Sequence, residues 1–597
     1  MAYDSLVLSA LINELNQTIL GARIEKIYQP GKTDIVIIFH TPAGKQRLFM
    51  SADPGMARVH LTRFNRENPL TPPMFCMVLR KHLEGGKLTR ISQPDFERII
   101  RLHIESYDEL GRLSEKILVC EIMGKHSNII LLNSEDNVIL DGIIRFSHAV
   151  NRYREVLPGR SYVAPPGQGK INPLHISEYD FKSILWKKVL TCAESAPASP
   201  DKWLLQTFTG LSPQTCREMF LLSGLAEDIT LDNFGEHELQ KLWEAFSSMM
   251  EKTKKAAFCP TLVLDNNKQP VAFSAYDLVQ FGPLPKLHGS MNEITDRFYQ
   301  ARYEQNLFRQ LRDRLNKTVS NEISRNRKKL TFQEETIALA KAAEEYRKAG
   351  ELLMANLHLL KPYMESVTLP DFYDPGQKEI TIALDPSLTP SENAQAYFKK
   401  YNKAKAGKKA ARELQREIEQ ELAYLESVSA NIDQAASLED LAEIKTELAE
   451  QGYIREKSTG KNKKTPAPES RPWQFSTEEG AIIWVGKNNK QNDWLTCKKA
   501  KASDIWLHVK DSPGSHVIVR SENGDIPEKV LIQAALLAAY FSKARNSAKV
   551  PVDYTLRKYV HKPNGAKPGM VIYENQRTVY VTPPRELSEI PVRQITE

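Results

Sequence analysis

Between Met291 and Leu360 the chain contains no proline, and its only glycine there is Gly350. Tyr303, Leu307, Leu311, Leu315, Val319 and Ile323 recur every four residues within this stretch, with charged residues between them. Apolar residues at that spacing fall on one stripe of an α-helix. A second such segment, Ser391 to Glu450, sets Leu414, Ile418, Leu422 and Leu425 on one face. Two long helices with a break between them predict an antiparallel coiled coil over 286–454. At the helical rise the first would reach about 100 Å. Such a pair is too thin to enclose an active site and reads as a spacer or arm. The break, 361–390, holds the strand pattern Lys378 to Leu384 among Pro370, Pro375, Pro386 and Pro390, which predicts a small β element at the tip.

A chain of 597 residues is too long for one core, so further domains are expected on either side. Residues 1–174 alternate short strands with helices. Strands are predicted at Arg23–Tyr28, Ile35–Phe39, Arg47–Ser51, Arg98–Ser106, Lys116–Ile122, Asn128–Leu132 and Val138–Ile144, and a helix over Pro72–Leu83. This is a mixed α/β domain. Residues 175–285 read as a helix-hairpin-helix region, helical to about 255 and with strand and turn signals resuming over 259–285. Trp203–Phe208, the turn Thr209-Gly210-Leu211, and a second helix capped by Ser212 with Pro213 in its first turn spell a helix-hairpin-helix. Its turn can offer N–H groups to a phosphate; an ordinary helical hairpin reads equally well. Residues 455–472 are basic, proline-containing and poor in apolar residues, a flexible linker. Residues 473–597 read as a compact α/β domain, with strands at Ala481–Val485, Asp504–Val509, Ser515–Arg520 and Thr578–Thr582 and an apolar helix over Glu528–Ala544. The whole is a multidomain α+β chain.

The N-terminal segment, interrupted by Asp4, Asn13 and Glu14, reads as an amphipathic helix and not as a signal peptide. No apolar run approaches a membrane span, so no membrane partner is expected. The six cysteines are scattered without a CxxC pair, so neither a metal site nor a disulfide framework is expected. The chain also lacks GxxxxGK[ST], HExxH, GxSxG and GxGxxG. No cofactor or catalytic residue is therefore predicted, and a cytoplasmic binding protein is the simplest reading.

The net charge is only +7, but it is concentrated. Lys399, Lys400, Lys403, Lys405, Lys408, Lys409 and Arg412 occupy fourteen residues without an acid, with Tyr397, Phe398 and Tyr401 interleaved. Exposed helix faces usually mix signs, because opposite charges one turn apart stabilise each other. A one-sign face points to a polyanion, most often a phosphate backbone. A second cluster, Arg325, Arg327, Lys328 and Lys329, lies on the first helix. Three loops are further candidates. Glu121–Asn133 runs through Gly124-Lys125-His126-Ser127-Asn128; local physics favours an ordinary hairpin there, with Gly124 at positive φ. Asp504–Arg520 brackets Lys510, Asp511, Gly514, Ser515 and His516. The stretch from Val560 to Tyr573 holds Lys562, Asn564 and Lys567. Such loops suit close approach to a polyanion; tight turns alone read equally well.

Three of these stretches together resemble the NFACT family. EIMGKHSNIILLN looks like its N-terminal motif, LDPSLTPSENAQAYFKKYNKAK like its mid-coiled-coil signature, and DIWLHVKDSPGSHVIV with KPNGAKPGMVIY like its C-terminal NFACT-R domain. The resemblance implies a ribosome quality control factor that binds the large subunit of a stalled, split ribosome beside its peptidyl-tRNA. It implies recruitment of tRNA, alanyl-tRNA in bacterial members, for template-free tailing of the nascent chain. Peptide transfer would belong to the ribosome, so an enzyme is not expected. The partners implied are large-subunit rRNA and proteins, tRNA, and a small RNA-binding accessory protein. The family's acid–Arg pair falls at Glu97-Arg98, where this chain has Glu in place of the usual Asp. The resemblance thus assigns Glu97, Arg98, Lys125, His126, Ser127 and Asn128 to tRNA. It assigns the run from Lys399 to Arg412 to rRNA, and His508, Lys510, Asp511, Gly514, Ser515, His516, Lys562, Asn564 and Lys567 to RNA. The rival readings are a fibronectin-binding surface adhesin, a label some relatives carry, and a nucleic-acid enzyme with unfamiliar catalytic residues.

Overall fold

Asp4 starts the first helix, α1 (Ser5–Thr18), its carboxylate accepting from the Leu6 and Val7 N–H groups at 3.1 Å each. The computed structural model describes residues 3–107, 111–192, 199–340, 343–376, 378–455, 471–521 and 525–595. They form two units, Met1–Gln305 and Asn306–Glu597.

In the first unit nine antiparallel strands make one sheet. They are β1 (Arg23–Tyr28), β2 (Asp34–Thr41), β3 (Gly44–Ser51), β4 (Arg58–Leu61), β5 (Lys87–Ser92), β6 (Ile99–Tyr107), β7 (Leu113–Glu121), β8 (Asn128–Asn133) and β9 (Ile139–Gly142), in the order β4-β3-β2-β1-β5-β6-β7-β8-β9. In β2, Ile35, Ile37 and Phe39 alternate inward, the period-2 signature of a strand covered on one face. They share the main core with α1 and with α2 (Met74–Leu83). The run Asn128–Asn133 does not alternate. Ile129 and Leu131 face the main core, while Ile130 and Leu132 pack a second cluster with Ile99, Val119 and Val156 on the opposite face. Strands covered on both faces read as continuous apolar runs. Strands β4 and β5 have no counterpart among the sequence expectations.

Four helices follow: α3 (Glu178–Cys192), α4 (Pro200–Thr207), α5 (Pro213–Leu222) and α6 (Glu236–Lys254). Ser212 caps α5 by accepting from the Thr215 N–H at 3.1 Å, with Pro213 at its first turn, as the sequence predicts. Phe181, Trp203, Phe208 and Phe246 pack the helices together. A three-stranded sheet, β10 (Thr261–Leu264), β11 (Pro270–Ser274) and β12 (Lys286–His288), leads into α7 (Met291–Leu339). The Glu14 carboxylate accepts from the first N–H groups of α7, Met291 and Asn292.

In the second unit, α8 (Ala343–Ala355) and the rest of α7 run antiparallel to α9 (Pro390–Gln434). Arg312 pairs with Asp433 and Arg327 with Glu426, so register falls on one helix as it rises on the other. The helix expected through Leu360 corresponds to α7 and α8, with residues 341 and 342 outside the described residues, and α8 ends at Ala355. α7 alone, at 49 residues, extends about 74 Å. α8 packs tightly on α9, where a Cβ on Gly350 would lie 3.1 Å from the Phe398 ring. Leu315, Val319, Ile418, Leu422 and Leu425 are buried in the seam as predicted, but Leu307 and Leu414 are 37% and 43% exposed. The seam follows 3- and 4-residue steps, which a strict 4-residue reading misplaces. The tip is a β-hairpin, β13 (Ser366–Pro370) with β14 (Glu379–Ala383). α10 (Leu438–Glu450) then packs with α7 and α9. The predicted linker lies almost wholly outside the described residues.

Beyond it, β15 (Trp473–Thr477), β16 (Ile482–Val485), β17 (Ile505–Val509), β18 (Val517–Val519), β19 (Val550–Leu556), β22 (Arg577–Val581) and β23 (Val592–Gln594) form a seven-stranded antiparallel sheet, with β20 (Val560–His561) and β21 (Ile572–Tyr573) as a separate pair. α11 (Asn489–Trp494) precedes β17. The apolar helix α12 (Glu528–Tyr540) covers the sheet through Val530, Ala534, Leu537 and Ala538, four residues shorter than predicted.

Candidate nucleic-acid interface

Arg98 ends a tight turn and enters β6, which pairs with β7 so that Ile99 faces Glu121. The Ile122 N–H donates to the Arg98 carbonyl at 2.9 Å. Antiparallel pairing therefore sets Glu97-Arg98 and the turn Gly124–His126 at the same end of the sheet, although 26 positions separate Arg98 from Gly124. Lys125 and His126 are exposed there. Ser127 and Asn128 are buried: the Ser127 hydroxyl accepts from Met123 N–H at 2.8 Å, and the Asn128 amide bridges the Ile144 N–H and carbonyl at 3.1 and 2.9 Å. Those two side chains hold the turn, so Lys125 and His126 are the groups able to reach a ligand. Gly124 at φ +60 supplies the left-handed backbone expected of it.

Glu97 is set by distant residues. Its carboxylate accepts from the Thr209 hydroxyl at 2.8 Å, and its carbonyl accepts from the Gln93 amide at 3.0 Å. Asp95 and Phe96 just before it stand at φ 48 and 56, a strained pair that aims the turn. The helix-hairpin-helix turn packs here too. Ser5 N–H donates to the Gly210 carbonyl at 2.9 Å, and a Cβ on Gly210 would lie 2.5 Å from the Phe96 carbonyl. That turn is thus occupied by protein contacts and does not stand open for a phosphate. Asp4 beneath it accepts from Ser212 and Thr215 at 2.8 and 2.5 Å. Burial pushes its carboxyl up, against the lowering pull of these hydroxyls and of Arg98. Among the described residues no carboxylate pairs with Arg98 within 4 Å. Nothing in the sequence links Thr209 to Glu97.

On α9, Lys399, Lys400, Lys403, Lys405, Lys409 and Arg412 are exposed and Lys408 is half-buried. None of the seven pairs with a carboxylate within 4 Å among the described residues. Lys400 lies 4.8 Å from the Tyr397 ring centroid and Lys405 5.6 Å from that of Tyr401. The cluster on α7 differs: Arg325 and Arg327 are paired with Glu322 and Glu426.

In the C-terminal domain the structure divides the predicted residues. Lys510 and Asp511 are exposed at the tip between β17 and β18, and Asn564 is exposed in its own loop. Gly514, Ser515 and His516 are buried, because the chain dives under Ser542 immediately after Pro513. His516 Nδ1 lies 2.8 Å from the Thr496 hydroxyl, and its ring meets those of Trp506 and His508 edge-on. Burial, then His508, holds the His516 pKa well below the usual imidazole range, and burial also lowers that of His508. These rings are neutral framework groups at pH 7. Lys562 is paired with Asp493. Lys567 is held by Glu421 and the Tyr453 hydroxyl, with the Tyr424 and Tyr453 ring centroids at 4.7 and 4.9 Å. Lys510, Asp511 and Asn564 therefore remain as its outward-facing polar groups among those predicted.

Among the described residues, an unpaired one-sign helix face and a small α/β domain with exposed polar loops are the features whose chemistry would suit a polyanion. The NFACT N-terminal and middle domains match residues 4–467, and the NFACT protein RNA binding domain matches residues 471–575. The chain belongs to the NFACT family. It is 40% identical over 583 residues to the Rqc2 homolog RqcH of Bacillus subtilis (strain 168), covering 98% of each chain. It is 37% identical to the Rqc2 homolog RqcH of Streptococcus suis, again over 98% of each. The human ribosome quality control complex subunit NEMF is 28% identical over 24% of this chain and 12% of its own. A solved C-terminal part of the fibronectin/fibrinogen-binding protein of Streptococcus suis is 39% identical over 47% of this chain and 96% of that one, with a TM-score of 0.37. Among the described residues no helix is long and apolar enough to cross a membrane.

Proposed function

We propose that this chain is a cytoplasmic ribosome quality control factor. It binds the obstructed large ribosomal subunit and recruits tRNA, alanyl-tRNA being the expected donor, to direct template-free tailing of the stalled nascent chain. The observation that carries the reading is the unpaired basic face of α9, which suits rRNA phosphates. The names of relatives that align over 98% of this chain support it. Glu97, Arg98, Lys125 and His126, gathered at one end of the nine-stranded sheet, are the proposed tRNA contacts, with an Arg that can grip phosphate or a base edge bidentately. Peptide transfer stays with the ribosome. The test is to purify the tagged protein and sequence the RNAs that come with it. Large-subunit rRNA and tRNA should be enriched, with tRNA-Ala foremost. RNA no richer in either than the input would reject the reading, and a predominantly surface-exposed pool would favour an adhesin.

A further inference from the structure

The seven-stranded sheet is covered on both faces. Val517 and Val519 pack with α12, while Ile518 and Trp506 pack on the other side with Leu495 and Val560. Leu495 belongs to a π-helical turn, Leu495–Lys499, that continues α11. Leu495 and Thr496 are buried, so Trp494, Cys497, Lys498 and Lys499 face outward. From Trp494 to Ser503 the chain carries three lysines, Lys498, Lys499 and Lys501, and no acid. The two flanking acids are turned away. Asp493 pairs with Lys562 and accepts from the Gly569 N–H at 3.0 Å. Asp504 is fully buried and accepts from the Lys501 and Ser521 N–H groups at 2.8 and 3.2 Å.

A remote segment adds to the same place. The Lys558 N–H donates to the Ala502 carbonyl at 3.3 Å. The Arg557 guanidinium donates to the Thr496 and Cys497 carbonyls at 2.7 and 3.4 Å and so holds the turn. Lys498, Lys499, Lys501 and Lys558 are all exposed, and none pairs with a carboxylate within 4 Å among the described residues. Two indoles stand among them: the Lys499 ammonium lies 5.5 Å from the ring centroid of Trp484 and 6.0 Å from that of Trp494. Trp494 is 42% exposed. Tryptophan is highly buried on average, so an open ring inside a one-sign cluster points to a ligand with both a flat face and negative charge.

We propose that Trp494, Lys498, Lys499, Lys501 and Lys558 form the RNA-contacting surface of the C-terminal domain and take a short single strand, one base on Trp494 and its phosphates on the lysines. The inference rests on the RNA-binding reading and gives this domain a contact surface. Single strands offer unstacked bases to aromatic side chains and phosphates to cations together. A duplex would use the lysines but keep its bases stacked away from the indole, and an acidic peptide would leave the indole unmatched.

The test measures binding of a short oligouridylate and of a fully paired RNA hairpin. The protein is full length and carries Lys399→Glu, Lys403→Glu and Lys409→Glu, so that α9 does not dominate; unchanged wild type is measured alongside. In that background Trp494→Leu should lower oligouridylate affinity about tenfold, the range of one base–aromatic stack, and Trp494→Phe should keep most of it. Hairpin affinity should change little in either. Changing Lys498, Lys499 and Lys501 together to Ala should flatten the slope of log affinity against log salt by about 2, at about 0.7 per phosphate of a single strand. A photoactivatable thiouridine oligomer should crosslink to the peptide that contains Trp494. Unchanged oligouridylate binding in both Trp494→Leu and the lysine variant, at matched folded fraction, overturns the surface. The RNA-binding reading still stands in that case if the α9 changes weaken binding relative to wild type. If wild type binds neither RNA at low salt, both fall. Equal losses for oligomer and hairpin in Trp494→Leu overturn the single-strand assignment. Polyglutamate that binds wild type as tightly as the oligomer does, and Trp494→Leu no less, would assign the surface to acidic protein and overturn the proposal.

Discussion

Thr209 donates its hydroxyl to the Glu97 carboxylate at 2.8 Å, a hydrogen bond between residues 112 positions apart. It ties the helix-hairpin-helix turn to the acid–Arg pair. Thr209 is 8% exposed, so the near-isosteric Thr209→Val leaves a half-buried carboxylate without its donor. A stability loss of about 1–2 kcal/mol is expected, together with reduced tRNA recovery, and Thr209→Ser should restore both. Normal tRNA recovery in Thr209→Val would make the contact purely structural.

Arg98 has no carboxylate partner among the described residues, so its guanidinium is available to a ligand. Arg98→Ala should leave the melting temperature nearly unchanged. It should remove a charge-assisted pair of hydrogen bonds of about 2 kcal/mol, or roughly thirtyfold in tRNA affinity. Binding to large subunits through α9 should survive. Equal tRNA recovery with wild type and variant would reject Arg98 as a contact.

Lys399, Lys403 and Lys409 should serve binding without serving the fold, since all three are exposed and unpaired among the described residues. Changing them together to Glu should weaken cosedimentation with large subunits and shift the melting temperature little. Wild-type affinity should fall steeply as salt rises, because each neutralised phosphate releases counterions. A salt-independent affinity would contradict the electrostatic reading.

Lys567 reads as an RNA contact in sequence, yet its ammonium is held by Glu421 between two tyrosine rings. Lys567→Ala is expected to destabilise by about 1–2 kcal/mol through the lost ion pair and cation–π contacts. RNA affinity should drop less than in Lys510→Ala, whose lysine is exposed at the loop tip. Binding curves at matched folded fraction decide between the two.

Glu447 is 1% exposed, and burial raises its pKa to about 6 despite hydrogen bonds from Asn489 and Tyr424. A pKa raised on folding means that the folded state holds the proton more tightly. The resulting stability is complete below the unfolded value of 4.5 and is lost as pH rises through about 6. Glu447→Gln, which keeps the shape without the titration, should differ from wild type by a stability increment that grows between those pH values. The increment should be on the order of 2 kcal/mol. Parallel stability–pH curves for the two proteins would refute the shift.

Much of this molecule is written locally. The alternating Ile35, Ile37 and Phe39, the Ser212-Pro213 helix start and the tip strand Glu379–Ala383 are all legible, because period, caps and turn residues act over a few positions. The lysine run is equally plain. Leu414 is misplaced because a four-residue repeat drifts off a seam that steps by three and four.

What a side chain does is another matter. Sequence alone determined many of the helices and strands, though not β4, β5 or β13, and the concentration of charge, since these depend on intrinsic backbone preferences and side-chain spacing. Only the tertiary structure decided that Ser515 and His516 face inward, that Glu421, 146 positions from Lys567, takes its charge, and that Thr209 reaches Glu97. The physical reason is that burial and pairing are properties of neighbours in space, and those neighbours come from remote parts of the chain.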